Sequence, residues 1–450
     1  MYRHEVFRDL ENETLFEGVR SFSQKMRIIR SHLSRIEKIQ YKLHQQGWVL
    51  EAANIYCDAV NQLCRDLSHV DLESRGFSAL RGYLKDYTRS DPFTLLQAET
   101  KKLKVGLEAV RYCILIKDGV VKVQRYEGEI DYSPLVEKTF ERFAHGSMKD
   151  YRVKFSASSG INHVEAQILD GVAKLHPEIF SDLADYCVKN KNFLDETIRR
   201  FDREIQFYVA YFEHTVPLKR AELKFCYPQI SDAGKEIYSD EGFDLALAHL
   251  LIAKGSTVVC NDFYLRDRER ILVVTGPNQG GKTTFARTFG QLHYLAALGC
   301  PVPGRKARLF LYDRLFTHFE KEEDIQTLRG KLQDDLTRIH RILNRATSNS
   351  LIIMNEIFTS TALKEAVSLG EKILERIMRL DCLCVCVTFI EEWTSLSDQT
   401  VSMVSTVDPD NPAVRTYKIV RSPADGRSYA VSIAEKYRLT YDVLRERIKS

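Results

Sequence analysis

Residues that break or loosen structure are scarce: the 450-residue chain has only 11 prolines and 22 glycines. That excludes collagen-like and low-complexity proteins, and 44% hydrophobic against 28% charged residues gives enough apolar surface to fold. Long hydrophobic runs are also missing. No stretch reaches the roughly 18 apolar residues of a membrane span, and Met1-Tyr2-Arg3-His4-Glu5-Val6 lacks the apolar run and cleavage site of a secretory signal. A cytoplasmic protein with no membrane partner is expected. Neither sign of charge dominates: 65 basic and 62 acidic residues leave a net +3, so composition carries no footprint of a histone or a basic DNA-binding tail. Paired cysteine spacing is absent too, and the 10 cysteines sit among apolar neighbours as buried thiols would. Cys382, Cys384 and Cys386 alternate along one run and could offer three thiolates to a soft metal. No fourth ligand lies nearby, and Leu380 to Val387 has the makeup of a buried parallel strand, which is the expectation.

What is present is periodicity of two kinds. At roughly 150 residues per domain the length suggests about three domains. In the first half, Phe22, Met26, Ile29, Leu33, Ile36 and Leu43 keep a 4-3-4-3 spacing that predicts one long amphipathic helix, with Lys25, Arg27, Arg30, Arg35 and Lys38 on its other faces. Leu194, Ile198, Phe201, Ile205, Tyr208 and Phe212 repeat the pattern, and the two helices are expected to pack together. Between them, Ile114 to Lys117 and Val120 to Val123 flank Asp118-Gly119, a hairpin signature, and Tyr151 to Phe155 offers a further β-like stretch. Pro228 is expected to stop the second helix near Phe225-Cys226-Tyr227. Beyond it, short apolar strands at Ile271 to Thr275, Leu351 to Met354 and Cys382 to Val387 alternate with helical stretches, the pattern of an α/β sheet.

The strand Ile271 to Thr275 runs into Gly276-Pro277-Asn278-Gln279-Gly280-Gly281-Lys282-Thr283, matching G-x-x-x-x-G-K-[ST] at every fixed position, with Thr284 following. In such a P-loop the glycines let backbone N–H groups turn toward phosphate, a helix N-terminus adds positive character, the lysine reaches the β- and γ-phosphates, and the Thr283 hydroxyl serves Mg²⁺. A second strand, Leu351 to Met354, ends in Asn355-Glu356. The usual pair there is an aspartate that holds Mg²⁺ and a glutamate that orients or deprotonates the attacking water. Asn355 can accept a hydrogen bond from metal-bound water but adds no charge, which leaves Glu356 as the candidate base.

These segments, together with Gly299-Cys300-Pro301-Val302-Pro303, Asp313-Arg314-Leu315-Phe316-Thr317, Ala346 to Leu351 and Pro423 to Tyr429, resemble successive motifs of the ATPase domain of the MutS DNA mismatch-repair family, in family order. The resemblance implies an α/β P-loop ABC-type ATPase domain at 226–450, following a mainly α-helical core and lever domain at 1–225 with a small β insertion at about 111–165. It implies ATP and Mg²⁺ as cofactors, dimerisation through the ATPase domains with a second copy or another MutS-family subunit, and DNA as partner, bound by backbone and shape. The Phe-x-Glu mismatch wedge and C-terminal extension of larger members are expected to be absent. Three positions depart from the pattern: Asn355; Gly330, in place of a serine within the segment Leu328 to Leu336 that reaches the partner's γ-phosphate; and Phe389, in place of a histidine after Thr388. Asp335 approximates the glutamate of that reaching segment. The expected activity is ATP binding with slow or conditional hydrolysis, in mismatch repair or related repair and recombination. The alternative is a nucleotide-gated protein scaffold with degenerate sites and no direct DNA role.

Overall fold

A computed structural model describes residues 2–118, 120–130, 161–319, 330–411 and 414–424, with a few isolated positions besides. The backbone divides into two compact units, residues 8–211 and residues 1–7 with 212 onward, so the division falls inside the helix Glu196–Arg220.

The first unit is helical. Asn12 starts the helix Glu13–Ile36 by accepting a hydrogen bond from the Leu15 N–H, and Leu15, Val19, Phe22, Met26 and Ile29 form its buried stripe. The helix stops at Ile36 instead of continuing to Leu43, which belongs to the next helix, Lys42–Ser68. The break is satisfied locally. The Gln45 amide donates to the carbonyls of Ile36 (3.3 Å) and Ile39 (2.5 Å), so the end of the first helix is capped by a side chain from the second. Periodicity alone continues through such a break because Ile36 and Leu43 keep the spacing. The expected pairing with Glu196–Arg220 is present: Phe22 and Phe201 meet with ring centroids 5.6 Å apart, Gln206 donates to the Ser23 hydroxyl (2.8 Å), and Arg30 pairs with the buried Asp202.

The end of that helix differs from expectation. Pro217 lies inside its last turns, and the helix ends at Arg220, well before Pro228. Glu222 takes a left-handed conformation (φ 65°), and the Leu223 N–H returns to the Leu218 carbonyl at 3.1 Å. This reversal ends the helix, and Phe225–Cys226 is already a short strand. Tyr112–Lys117 and Val120–Arg125 pair antiparallel, Lys117 opposite Val120, as the hairpin signature implied. Tyr151 to Phe155 falls outside the described residues.

The second unit is built on a six-stranded sheet in the order Leu315–His318, Leu351–Asn355, Leu383–Val387, Ile271–Thr275, Thr400–Val407, Arg415–Arg421. All neighbours run parallel except the last pair. Its middle strands are buried on both faces, which explains why they appear as unbroken apolar runs. One face packs Leu272, Val274, Ile353 and Val385 against Phe285, Phe289 and Leu292 of the helix Lys282–Ala297. The other packs Val273, Ile352 and Cys384 against Leu374 and Ile377 of the helix Leu363–Leu380 and against Trp393. Cys382, Cys384 and Cys386 are wholly buried there, and burial pushes the Cys386 thiol up to about 12. Such thiols are core residues. A four-stranded sheet of Gln229–Ser231, Lys306–Phe310, Ile237–Gly242 and Asn261–Leu265 lies in the same unit. So do the first residues of the chain: Arg3 donates to the Leu298 carbonyl at 2.6 Å, and Phe7 stacks on Phe212. Among the described residues no helix is long and apolar enough to cross a membrane.

Candidate functional site

The fully buried strand Ile271–Thr275 delivers the chain to the glycine-rich loop at the edge of the core. Gly276 (φ 116°) and Gly281 (φ 92°) adopt backbone conformations that disfavour any side chain, and Gly281 caps the helix Lys282–Ala297. The loop lies directly on the neighbouring strand. A Cβ at Gly276 would come within 2.8 Å of the Ser405 carbonyl oxygen, and one at Gly280 within 2.3 Å of the Ser405 hydroxyl. That hydroxyl instead donates to the Gly280 carbonyl at 2.7 Å. The glycine pattern thus has a cause in packing as well as in torsion.

Lys282 follows, only 4% exposed. Its ammonium donates to the carbonyls of Gly276 (2.9 Å) and Pro277 (3.1 Å) and lies 4.2 Å from the centre of the Phe389 ring. Burial lowers its pKa to about 8; the Glu356 carboxylate opposes that shift and Arg415 adds to it. Arg415 itself donates to the Asn278 carbonyl at 3.1 Å.

The structure brings the other candidate residues to the same place. The Thr283 hydroxyl donates to the Asn355 side-chain oxygen at 2.8 Å, joining the loop to the end of the strand Leu351–Asn355. Asn355 is buried, whereas Glu356, the next residue, is half-buried and left-handed (φ 53°), with its N–H on the Val387 carbonyl at 2.9 Å. Loop residues Asn278 to Thr284 and Glu356 border one cavity of about 530 Å³. Its far wall, including Phe243, Leu247, Leu251, Val258 and Tyr417, was not foreseen from the sequence. Those side chains lie far from the motif along the chain, and apolar residues in a short helix carry no mark of a binding wall.

Of the remaining candidates, Phe389 lies against Lys282, and Gly330 and Asp335 fall elsewhere. Gly330 precedes the helix Lys331–Arg345, while Leu328 is outside the described residues. Asp335 is turned inward, 6% exposed, and lies 3.2 Å from the buried His318, so it cannot serve as an outward-reaching carboxylate. Thr388 is buried and accepts a hydrogen bond from the Ile390 N–H, and Phe389 is 47% exposed. A Phe-x-Glu sequence does occur, as Phe389-Ile390-Glu391. It sits beside Lys282 at the end of a core strand and has no place in an N-terminal wedge.

Fold and site together define a mixed α/β protein in which a strand, a glycine-rich loop and a helix N-terminus meet the polar end of a second parallel strand. Comparison with known proteins shows what this class is similar to. The family described as MutS domain V matches residues 272–449. The chain is 25% identical to the DNA mismatch repair protein MutS of Thermotoga maritima, across 80% of this chain and 44% of that protein. It is 32% identical to the MutS of Fervidobacterium nodosum, across 74% of this chain and 38% of that protein, and 28% identical to that of Orientia tsutsugamushi, across 66% and 33%. The chain is thus MutS-like over most of its length and carries a MutS domain V, and it spans less than half the length of each of these relatives.

Proposed function

We propose that this protein binds ATP with Mg²⁺ at Gly276 to Thr284, hydrolyses it slowly, and uses the bound nucleotide to control dimerisation and DNA binding in mismatch repair or a related repair or recombination process. In this reading residues 226–450 act as an ABC-type P-loop ATPase and residues 1–225 as a core and lever, in the cytoplasm. The observation that carries it is the convergence of Lys282, the Thr283–Asn355 pair and Glu356 on one cavity.

The chemistry follows from the residues present. Backbone N–H groups at the start of the helix Lys282–Ala297 face the phosphates with the positive end of the helix dipole. Lys282 exchanges its two carbonyl partners for β- and γ-phosphate oxygens, which bring the negative charge that its buried site lacks. Among the described residues no three His, Cys, Asp or Glu side chains gather into a metal cluster. Mg²⁺ keeps most of its waters and takes few protein ligands beside phosphate. Thr283 would offer a lone pair of its hydroxyl oxygen to that ion while its O–H still donates to the Asn355 side-chain oxygen. Bound there, Mg²⁺ would neutralise charge on the phosphates. Glu356 orients the attacking water and accepts its proton. With an amide at Asn355 the second strand adds no negative charge beside the ion, so the metal is held more weakly and the step is slower.

Turnover measured with and without duplex, mismatched and branched DNA tests this reading. Glu356→Ala should abolish hydrolysis while ATP still binds. Asn355→Asp should raise turnover about tenfold, equivalent to about 1.4 kcal/mol on the barrier. Unchanged turnover in Asn355→Asp would show that the missing charge does not limit the rate. DNA held through its phosphates should be released steeply by salt. The near balance of charge, +3 overall, favours the scaffold alternative, and salt-insensitive or absent DNA binding would select it.

A further inference from the structure

Phe389 lies two residues past the end of the strand Leu383–Val387, and its neighbour Thr388 is tied to the strand that feeds the glycine-rich loop. The Thr388 N–H donates to the Val274 carbonyl at 3.0 Å, and the Ile390 N–H donates to the Thr388 hydroxyl at 3.0 Å. The ring centre lies 4.2 Å from the Lys282 ammonium, well within range of a cation–π attraction. Two carbonyls of the loop hold the same nitrogen at 2.9 and 3.1 Å. A long, rotamer-rich side chain is therefore held at three points before any ligand arrives.

Resting on the nucleotide-binding reading above, we propose that Phe389 is a positioning residue for Lys282, whose ring keeps the ammonium at the phosphate cradle ready for a polyphosphate. The physical basis is preorganisation: a lysine already ordered at the cradle loses less freedom when phosphate binds than one that moves in water. A phenyl ring has no proton to give and no lone pair to accept one, so it takes no part in proton transfer at the γ-phosphate. Its contribution is made through the order of the Lys282 ammonium and reads out in ligand affinity.

Two substitutions separate the ring's electrons from its bulk. Phe389→Leu keeps an apolar side chain without a π face, and Phe389→Tyr keeps the face. Acylation of Lys282 by an amine-selective reagent at one fixed pH, read by peptide mass spectrometry without nucleotide, reports how firmly the amine is held. Phe389→Leu should accelerate it about fivefold and Phe389→Tyr should leave it near the wild-type rate. In parallel, calorimetric titration should show ATP affinity falling about fivefold in Phe389→Leu and recovering in Phe389→Tyr. An unchanged acylation rate in Phe389→Leu, or a Phe389→Tyr protein that behaves like Phe389→Leu, overturns the proposal. If acylation responds as expected but the wild-type protein binds no ATP, the Phe389–Lys282 contact stands and the nucleotide-binding reading falls.

Discussion

Lys282→Ala is expected to weaken ATP binding by at least about a hundredfold, the effect of truncating one partner of a buried, hydrogen-bonded charge pair. Few side chains in the protein are so committed to one place. Lys282 is 4% exposed, and its ammonium is held by two carbonyls of its own loop and sits over an aromatic ring. Lys282 is the one basic side chain among the described residues that line the cavity; the other polar ones there, such as Gln279 and Thr283, are uncharged or, like Asp244 and Glu356, acidic. The fold should survive, because the carbonyls of Gly276 and Pro277 that lose a partner adjoin a cavity that admits water. Titration calorimetry beside a thermal melt checks both halves: a lost binding isotherm with a melting temperature near wild type. Affinity within threefold of wild type would show that the loop does not hold phosphate through this lysine.

A second large effect is expected far from the cavity. Gly370 lies in the helix Leu363–Leu380 directly against Trp393, and a Cβ added there would come within 1.8 Å of the indole ring. Trp393 is fully buried, and its indole N–H donates to the Val367 carbonyl at 3.2 Å, so the ring has nowhere to move without losing that bond. Gly370→Ala should destabilise the unit by about 3 kcal/mol, the upper part of the range for overpacked cores, which lowers the melting temperature by roughly 6 to 12 °C for a unit of this size. Trp393→Phe added to Gly370→Ala should restore part of the loss by making room. A melting temperature unchanged in Gly370→Ala would mean that the helix and the indole separate readily, contrary to the packing described.

The sequence disclosed those parts of the protein whose physics is local. Ile271 to Thr275, Leu351 to Met354 and Cys382 to Val387 announced themselves as strands because parallel strands buried on both faces are apolar throughout. The loop was legible because its glycines and lysine occur at fixed spacing, and the hairpin because Asp118-Gly119 suits its turn. Contacts between distant residues stayed hidden. Nothing near Ile36 says that Gln45 will cap it, and nothing near Pro228 says that Glu222 will already have reversed the chain. Asp335 resembled an outward carboxylate until the fold set it against His318. The far wall of the cavity, from Phe243 to Val258 with Tyr417, is brought to the loop only by tertiary packing.

Asn355 and Phe389 share one consequence for function. Each keeps a contact at the site, Asn355 with the Thr283 hydroxyl and Phe389 with the Lys282 ammonium. Neither carries a charge or a labile proton that could speed the chemical step. In the proposed reading, such a site would favour a long-lived ATP state, with the nucleotide acting as a clasp.

The most direct test of this account is sedimentation velocity of the wild-type protein and of Lys282→Ala, each with duplex DNA, with and without a non-hydrolysable ATP analogue and Mg²⁺. The account predicts that the analogue shifts the wild-type protein toward a dimer and changes its retention on DNA, while Lys282→Ala responds in neither respect. A wild-type protein indifferent to the analogue in both dimer fraction and DNA retention would contradict it.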